Sequence, residues 1–322
     1  MGIQPEATYS GSTLQLADGT DIENYGGASY GTLTVRQATE NSVNAAYGRM
    51  ILDVGVEQTM EMAGRLGVSM PPYDPSVYGA AVTLGVIEAS PLEMASAFGV
   101  FANGGRRAPP TPVLRVSDSE GNVLLDNSQI ADDAEQVIGQ DVADNVTDVL
   151  RGVLTEGTAA GKGLDRPAAG KTGTTDDNGN AWFVGYTPTL STAVWMGYLD
   201  ANLPLVGING VRGGITGGSI PASAWQSYMT KALEGVPVTE FNQPVPIAPQ
   251  VDAALRRQRG GFDPGPQILP AEPPPGGPYE GSVPGPVARA PVAPTTTEAP
   301  TTTTTSTTPR FPTTTPFTLF PP

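Results

Sequence analysis

The chain contains no cysteine and no histidine. These absences exclude a Ser–His–Asp triad, a cysteine nucleophile and a Cys/His zinc site built from these residues. Acid–base chemistry must instead run through carboxylates, lysine, tyrosine or hydroxyl relays. Lysine itself is scarce, with Lys162, Lys171 and Lys231 the whole supply. No apolar run approaches the length of a bilayer span, and no leader sequence follows Met1. If the protein works outside the membrane, its anchor is expected upstream of this chain. Positive charge is also short: 17 Lys+Arg stand against 32 Asp+Glu, a net charge of −15. Such a surface repels phosphate backbones and anionic lipid, so nucleic-acid binding is not expected. A solvating excess of carboxylates accounts for it.

The 322 residues suit one large domain with extras. Gly (40) and Pro (33) are abundant, and the excess lies late in the chain. Residues 1–235 read as the ordered domain and 236–257 as a linker. Residues 258–322, with Pro-Pro-Pro and the Thr301–Thr305 run, cannot bury enough apolar surface to order themselves and read as a disordered tail.

Within the domain, residues 1–30 read as an irregular opening segment. Thr34 is placed to cap a helix over Val35–Glu40. Further helices are expected over Asn44–Val54 and Glu57–Leu66, the latter stopped by Gly67. Ser90-Pro91-Leu92-Glu93 combines a cap, a first-turn proline and a capping box. Its helix carries Met94, Ala97, Phe98 and Phe101 on one face and ends at Asn103-Gly104-Gly105. Pro112–Ser117 and Asn122–Asp126 flank a turn and predict a hairpin. Residues 141–154 predict an amphipathic helix. Ala168–Thr174, Ala181–Tyr186 and Leu190–Tyr198 then predict an antiparallel meander, and Pro221–Leu233 a closing helix.

Lys171 sits in Gly170-Lys171-Thr172-Gly173-Thr174, on the first strand of that meander. Lysine in a strand of Gly and Thr adds little packing, and glycine lets a ligand or another backbone approach closely. Thr hydroxyls and free N–H groups on an edge strand can bind a carboxylate. Alone, Lys-Thr-Gly is a weak signal. Its surroundings change that: Gly157-Thr158-Ala159 precedes it, and Ala181-Trp182-Phe183-Val184-Gly185-Tyr186-Thr187-Pro188 follows. Asn24-Tyr25-Gly26-Gly27, Gly31–Arg36, Ser42-Val43-Asn44, Ser90–Ala95, Phe101–Gly105 and Gly217–Ala222 with Trp225 fall around it. Together these resemble, in order, the transpeptidase domain of class A penicillin-binding proteins, over about residues 20–235.

One family element is not found. Three residues before Lys162, Lys171 and Lys231 stand Ala159, Ala168 and Tyr228, so the chain holds no Ser-x-x-Lys and offers no family nucleophile. Truncation at the N-terminus is the simplest expectation, and a non-catalytic relative the other.

The resemblance implies an α+β, β-lactamase/transpeptidase-like fold: an antiparallel sheet flanked by helices, plus a helical subdomain carrying Ser42–Asn44, incomplete at the N-terminus. It implies D,D-transpeptidation of peptides ending in D-Ala-D-Ala, outside the bacterial plasma membrane, without metal or other cofactor. Ser42 and Lys171 would relay a proton, Asn44 would hold the substrate amide, and Thr172 and Thr174 would bind its carboxylate across Gly173. The N–H of Thr174 would form half of an oxyanion hole. Peptidoglycan stem peptides and β-lactams are the implied partners. A wall-binding module without catalysis, or a serine β-lactamase or D,D-carboxypeptidase on the same fold, are the alternatives.

Overall fold

The computed structural model describes residues 3–130, 132–199, 201–208 and 213–247. The proposed tail at 258–322 lies outside the described residues, as does the linker beyond residue 247. Among the described residues no helix is long and apolar enough to cross a membrane.

The opening segment is more ordered than its composition suggests. Strand β1 (Thr8–Ser10) pairs antiparallel with β4 (Thr32–Thr34), and β2 (Leu14–Gln15) with β3 (Asp21–Ile22). Asn24 holds the pieces together. Its buried side chain donates to Gly11 O (2.7 Å) and Ala28 O (2.8 Å) and accepts from the Ala45 N–H (3.0 Å).

Helix α1 (Val35–Glu40) starts at the expected cap. Thr34 Oγ1 accepts from Gln37 N–H, and the Gln37 side chain accepts from Thr34 N–H. Such a cap stabilises by about 1 kcal/mol. Helices α2 (Asn44–Val54) and α3 (Val56–Leu66) follow, and α3 stops at Gly67, whose φ of +105° favours glycine. Ala38, Val43, Ala46 and Met50 form the subdomain's own small core.

Helix α4 (Pro91–Ala102) has the full Ser90–Glu93 capping box. Two short pairings come next: β5 (Arg106–Arg107) with β8 (Glu135–Gln136), and the hairpin of β6 (Arg115–Ser117) and β7 (Val123–Asp126). Helix α5 (Gln140–Thr155) leads to the central sheet of β9 (Ala169–Thr174), β10 (Ala181–Tyr186) and β11 (Ser191–Met196), in spatial order β11-β10-β9 and antiparallel throughout. Helix α6 (Ile220–Ala232) closes the domain.

Strand alternation decides which helix covers which face. Tyr186 points to one face, where its ring meets Phe98 and Phe101 of α4 and its hydroxyl pairs with Thr147 of α5. Phe183 points to the other and meets Trp225 of α6 at 5.0 Å between ring centres. Strand β11 obeys the same parity: Ser191 donates to Ala95 O of α4, while Thr192 contacts Met229 of α6. Helices therefore lie on both faces of one antiparallel sheet, with α1–α3 beside it, an α+β arrangement.

Candidate active site

Ser42 lies in the turn between α1 and α2. Its backbone is left-handed, with φ of +53°. A non-glycine residue adopts this only when its surroundings hold it there. Here Ser42 N–H donates to Thr39 O and Val43 N–H to Ala38 O, while Val43 is fully buried. The turn presents the Ser42 hydroxyl towards the sheet.

Lys171 meets it there. Its Nζ donates to Ser42 Oγ at 2.8 Å and to Thr172 O at 2.9 Å. Among the described residues no carboxylate pairs with this ammonium. Burial alone acts on it, pulling its pKa from 10.5 down to about 8. A lysine so placed gives up its proton far more readily than a surface lysine and can carry one to or from the neighbouring hydroxyl.

The edge of β9 faces outward beside this pair. Thr175 N–H donates to Asn180 O, which fixes the phase of the ladder. In an antiparallel pair, alternate residues turn their backbone groups towards the partner strand. Given the register Lys171↔Val184 and Gly173↔Trp182, those two residues bond to β10. Gly170, Thr172 and Thr174 turn theirs outward. Acceptance of the Lys171 Nζ proton by Thr172 O agrees with this phase.

Side chains alternate the other way. Lys171 and Gly173 lie on the α4 face of the sheet, and Thr172 and Thr174 on the α6 face. Thr172 is only 8% exposed and its Oγ1 lies 2.7 Å from Thr158 Oγ1. Thr174 Oγ1 accepts from Gly217 N–H at 3.0 Å. Gly173 stands across from Trp182, whose Cβ lies 3.2 Å from where a Cβ on Gly173 would be, so the position has little room for a side chain.

Asn44 opens α2, and its Nδ2 donates to Glu23 O at 3.0 Å. This leaves the side-chain oxygen without a partner among the described residues. The structure thus brings Ser42 and Lys171 into direct contact and places Thr172–Thr174 next to Lys171 on the edge strand β9. Asn44 makes no hydrogen bond to any of them among the described residues. Among the described residues, no group of three or more His, Cys, Asp or Glu could hold a metal ion.

Two contributors were not assigned a place from sequence. Thr158 bonds to Thr172 and, through its N–H, to Glu40 O at 3.0 Å. Gly217 bonds to Thr174. Both belong to segments singled out by their resemblance, Gly157-Thr158-Ala159 and Gly217–Ala222. The sequence offered no way to see what they touch.

Residues 2–205 match the penicillin binding protein transpeptidase domain. The chain belongs to that family. It is 35% identical over 289 residues to penicillin-binding protein 1A of Mycolicibacterium smegmatis, covering 81% of this chain and 34% of the relative. The corresponding protein of Aquifex aeolicus is 34% identical over 224 residues, 69% of this chain and 29% of its own length. The chain therefore spans about a third of the curated relatives it matches. Among solved structures, the penicillin-binding protein PonA1 of Mycobacterium tuberculosis superposes with a TM-score of 0.69 at 32% identity, covering 76% of this chain and 68% of that one. A second structure of PonA1 holds penicillin V. The fold is of the β-lactamase/transpeptidase type. That family is one of transpeptidases of cell-wall peptidoglycan biosynthesis.

Proposed function

We propose that these residues supply the proton-relay and strand-docking part of a serine D,D-transpeptidase acting outside the plasma membrane on stem peptides ending in D-Ala-D-Ala. The observation that carries this reading is the 2.8 Å contact between Lys171 Nζ and Ser42 Oγ beside the outward edge of Thr172 and Thr174. A D-Ala-D-Ala peptide would run along that edge. The Thr172 and Thr174 hydroxyls would bind its carboxylate, and the Thr174 N–H would face the scissile carbonyl oxygen. Such a donor typically contributes about 3 kcal/mol to lowering the barrier. Asn44 would hold the substrate amide.

The attacking serine would come from a Ser-x-x-Lys outside these 322 residues, with its proton passing to the lysine of that motif. As the acyl–serine bond forms and the peptide C–N bond breaks, Ser42 and Lys171 would deliver a proton to the departing D-Ala amine. The acyl group would then pass to an amine of a neighbouring stem peptide. β-Lactams would enter the same path as mimics of D-Ala-D-Ala.

The lack of any Ser-x-x-Lys among the 322 residues is shared by a second reading, a wall-binding module that docks the same peptides without cleaving them. Serine β-lactamase or D,D-carboxypeptidase activity on this fold has no observation in its favour.

Intact mass measured after incubation with a fluorescent penicillin tests the assignment. The chain alone is expected to gain no covalent adduct. An acyl-D-Ala-D-Ala dipeptide is expected to shift the amide resonances of Thr172, Gly173 and Thr174. A stoichiometric adduct would overturn the placement of the nucleophile elsewhere, and unmoved amides would overturn the docking edge.

A further inference from the structure

Thr158 touches three separate parts of the site. Its N–H donates to Glu40 O, at the end of α1 and two residues before Ser42. Its hydroxyl lies 2.7 Å from Thr172 Oγ1. Its carbonyl is packed against Gly218, where a Cβ would run into Thr158 O. The preceding Gly157 is pressed against Glu40 O in the same way. Thr158 is thus packed closely between Glu40 and Gly218.

The hydroxyl pair has two possible directions, because either oxygen could donate. The chemistry of the edge chooses between them. A hydroxyl has one proton to give and two lone pairs to receive with. If Thr172 gives its proton to Thr158, it has none left for a carboxylate at the edge. If Thr158 gives its proton to Thr172, the Thr172 proton is free to point outward. Among the described residues, Thr172 Oγ1 is the only recorded partner of the Thr158 hydroxyl, so nothing competes for that proton.

Thr174 is arranged alike. Its Oγ1 receives from Gly217 N–H, a backbone group that can only donate, so the Thr174 proton is likewise left to give. The Thr174 hydroxyl is therefore supplied with a hydrogen bond from behind by a backbone amide, and the Thr172 hydroxyl would be supplied alike if Thr158 is the donor of its pair.

We infer that Thr158 is a positioning residue for recognition of the substrate's terminal carboxylate: it donates to Thr172 and so commits the Thr172 proton to the ligand. This rests on the docking edge proposed above. Thr158 itself touches no substrate. Its effect is confined to ligands that carry the carboxylate, because an uncharged C-terminal amide, which has its own protons to offer, does not require two donors.

The test uses an acyl-D-Ala-D-Ala dipeptide and its C-terminal amide, titrated against the 322-residue chain and followed by amide shifts at Thr172–Thr174. Thr158→Val keeps the branched shape and the N–H to Glu40 but removes the hydroxyl. Thr158→Ser keeps the hydroxyl. The unaltered chain is expected to prefer the acid. Thr158→Val leaves no acceptor to take the Thr172 proton but removes the hydrogen bond that holds the Thr172 hydroxyl in place, so the acid is expected to weaken about tenfold, the scale of one hydrogen bond, with the amide unchanged. Thr158→Ser is expected to retain the preference. An unchanged acid affinity in Thr158→Val, or equal loss for acid and amide, overturns the role of Thr158 and leaves the docking edge standing. Failure of the unaltered chain to prefer the acid overturns the docking edge, and the role of Thr158 with it.

Discussion

The two edges of the central sheet differ in kind. The β9 edge carries Gly170, Thr172 and Thr174 outward and is surrounded by Ser42, Thr158 and Gly217. The β11 edge has the opposite character. Thr187 N–H donates to Leu190 O, so the ladder phase turns the backbone groups of Ser191, Ala193 and Trp195 away from β10. Among the described residues no strand pairs with them. One edge is fitted with polar partners. The other, Ser191–Met196, turns its side chains to the helices on either face and has backbone groups to spare, the kind of edge that accepts another strand. Openness of a strand edge therefore does not by itself mark a site. What marks it is a set of fixed donors beside the edge.

Both edges hang on β10, and β10 rests on Trp225. That side chain is fully buried and its Nε1 donates to Gly185 O at 3.0 Å. Trp225→Ala is expected to have the largest effect, a loss of about 3–5 kcal/mol in chemical denaturation. Amide exchange should quicken at both edges together. Faster exchange at only one of them would show that the edges are supported separately.

Lys171, on β9, is a buried amine. Its folded pKa of about 8 lies below the ordinary 10.5. Between those values the unfolded chain binds the proton that the folded chain has shed. Stability contributed by this group therefore rises with pH across that window, on the order of 3 kcal/mol for the whole shift. Below pH 8 both states hold the proton and the full burial penalty is felt. Lys171→Met should remove this rise, so the stability difference between variant and parent should shrink from pH 7.5 to pH 10. A parallel pH profile for the two proteins would refute it.

The smallest effect probes the ladder phase at β11. Ala193 turns its N–H outward, so Ala193→Pro removes no ladder bond. Val194 turns its N–H to Phe183, so Val194→Pro breaks one. The second substitution should destabilise more than the first by about 1–3 kcal/mol in thermal or denaturant unfolding. Equal losses would mean the phase is wrong, and the same reasoning at β9 would fall too.

Much of this was readable in advance where the signal is local. The caps at Thr34 and Ser90, the stop at Gly67 and the three strands of the meander depend on residues a few positions apart. The placement of Lys171 against Ser42 came from family resemblance, since 129 positions separate them and no periodicity reports that contact. The pairings of Thr8–Ser10 with Thr32–Thr34 and of Arg106–Arg107 with Glu135–Gln136 were missed. Each is two or three residues long and is fixed by tertiary contacts rather than strand propensity. Thr158 was missed as a contact for a related reason. Its role lies in the direction of a hydroxyl and an amide towards partners far along the chain, which residue type alone does not specify.

The left-handed backbone at Ser42 sets stability and chemistry against each other at a single codon. Glycine adopts φ near +53° without steric cost, whereas serine adopts it under strain. Random change at this position thus has a comfortable resting place in glycine. A chain that slid there would relieve the backbone but lose the oxygen that Lys171 holds, one of the two acceptors of that buried amine. Position 42 is therefore pulled two ways, towards glycine by its backbone and towards serine by the lysine opposite it.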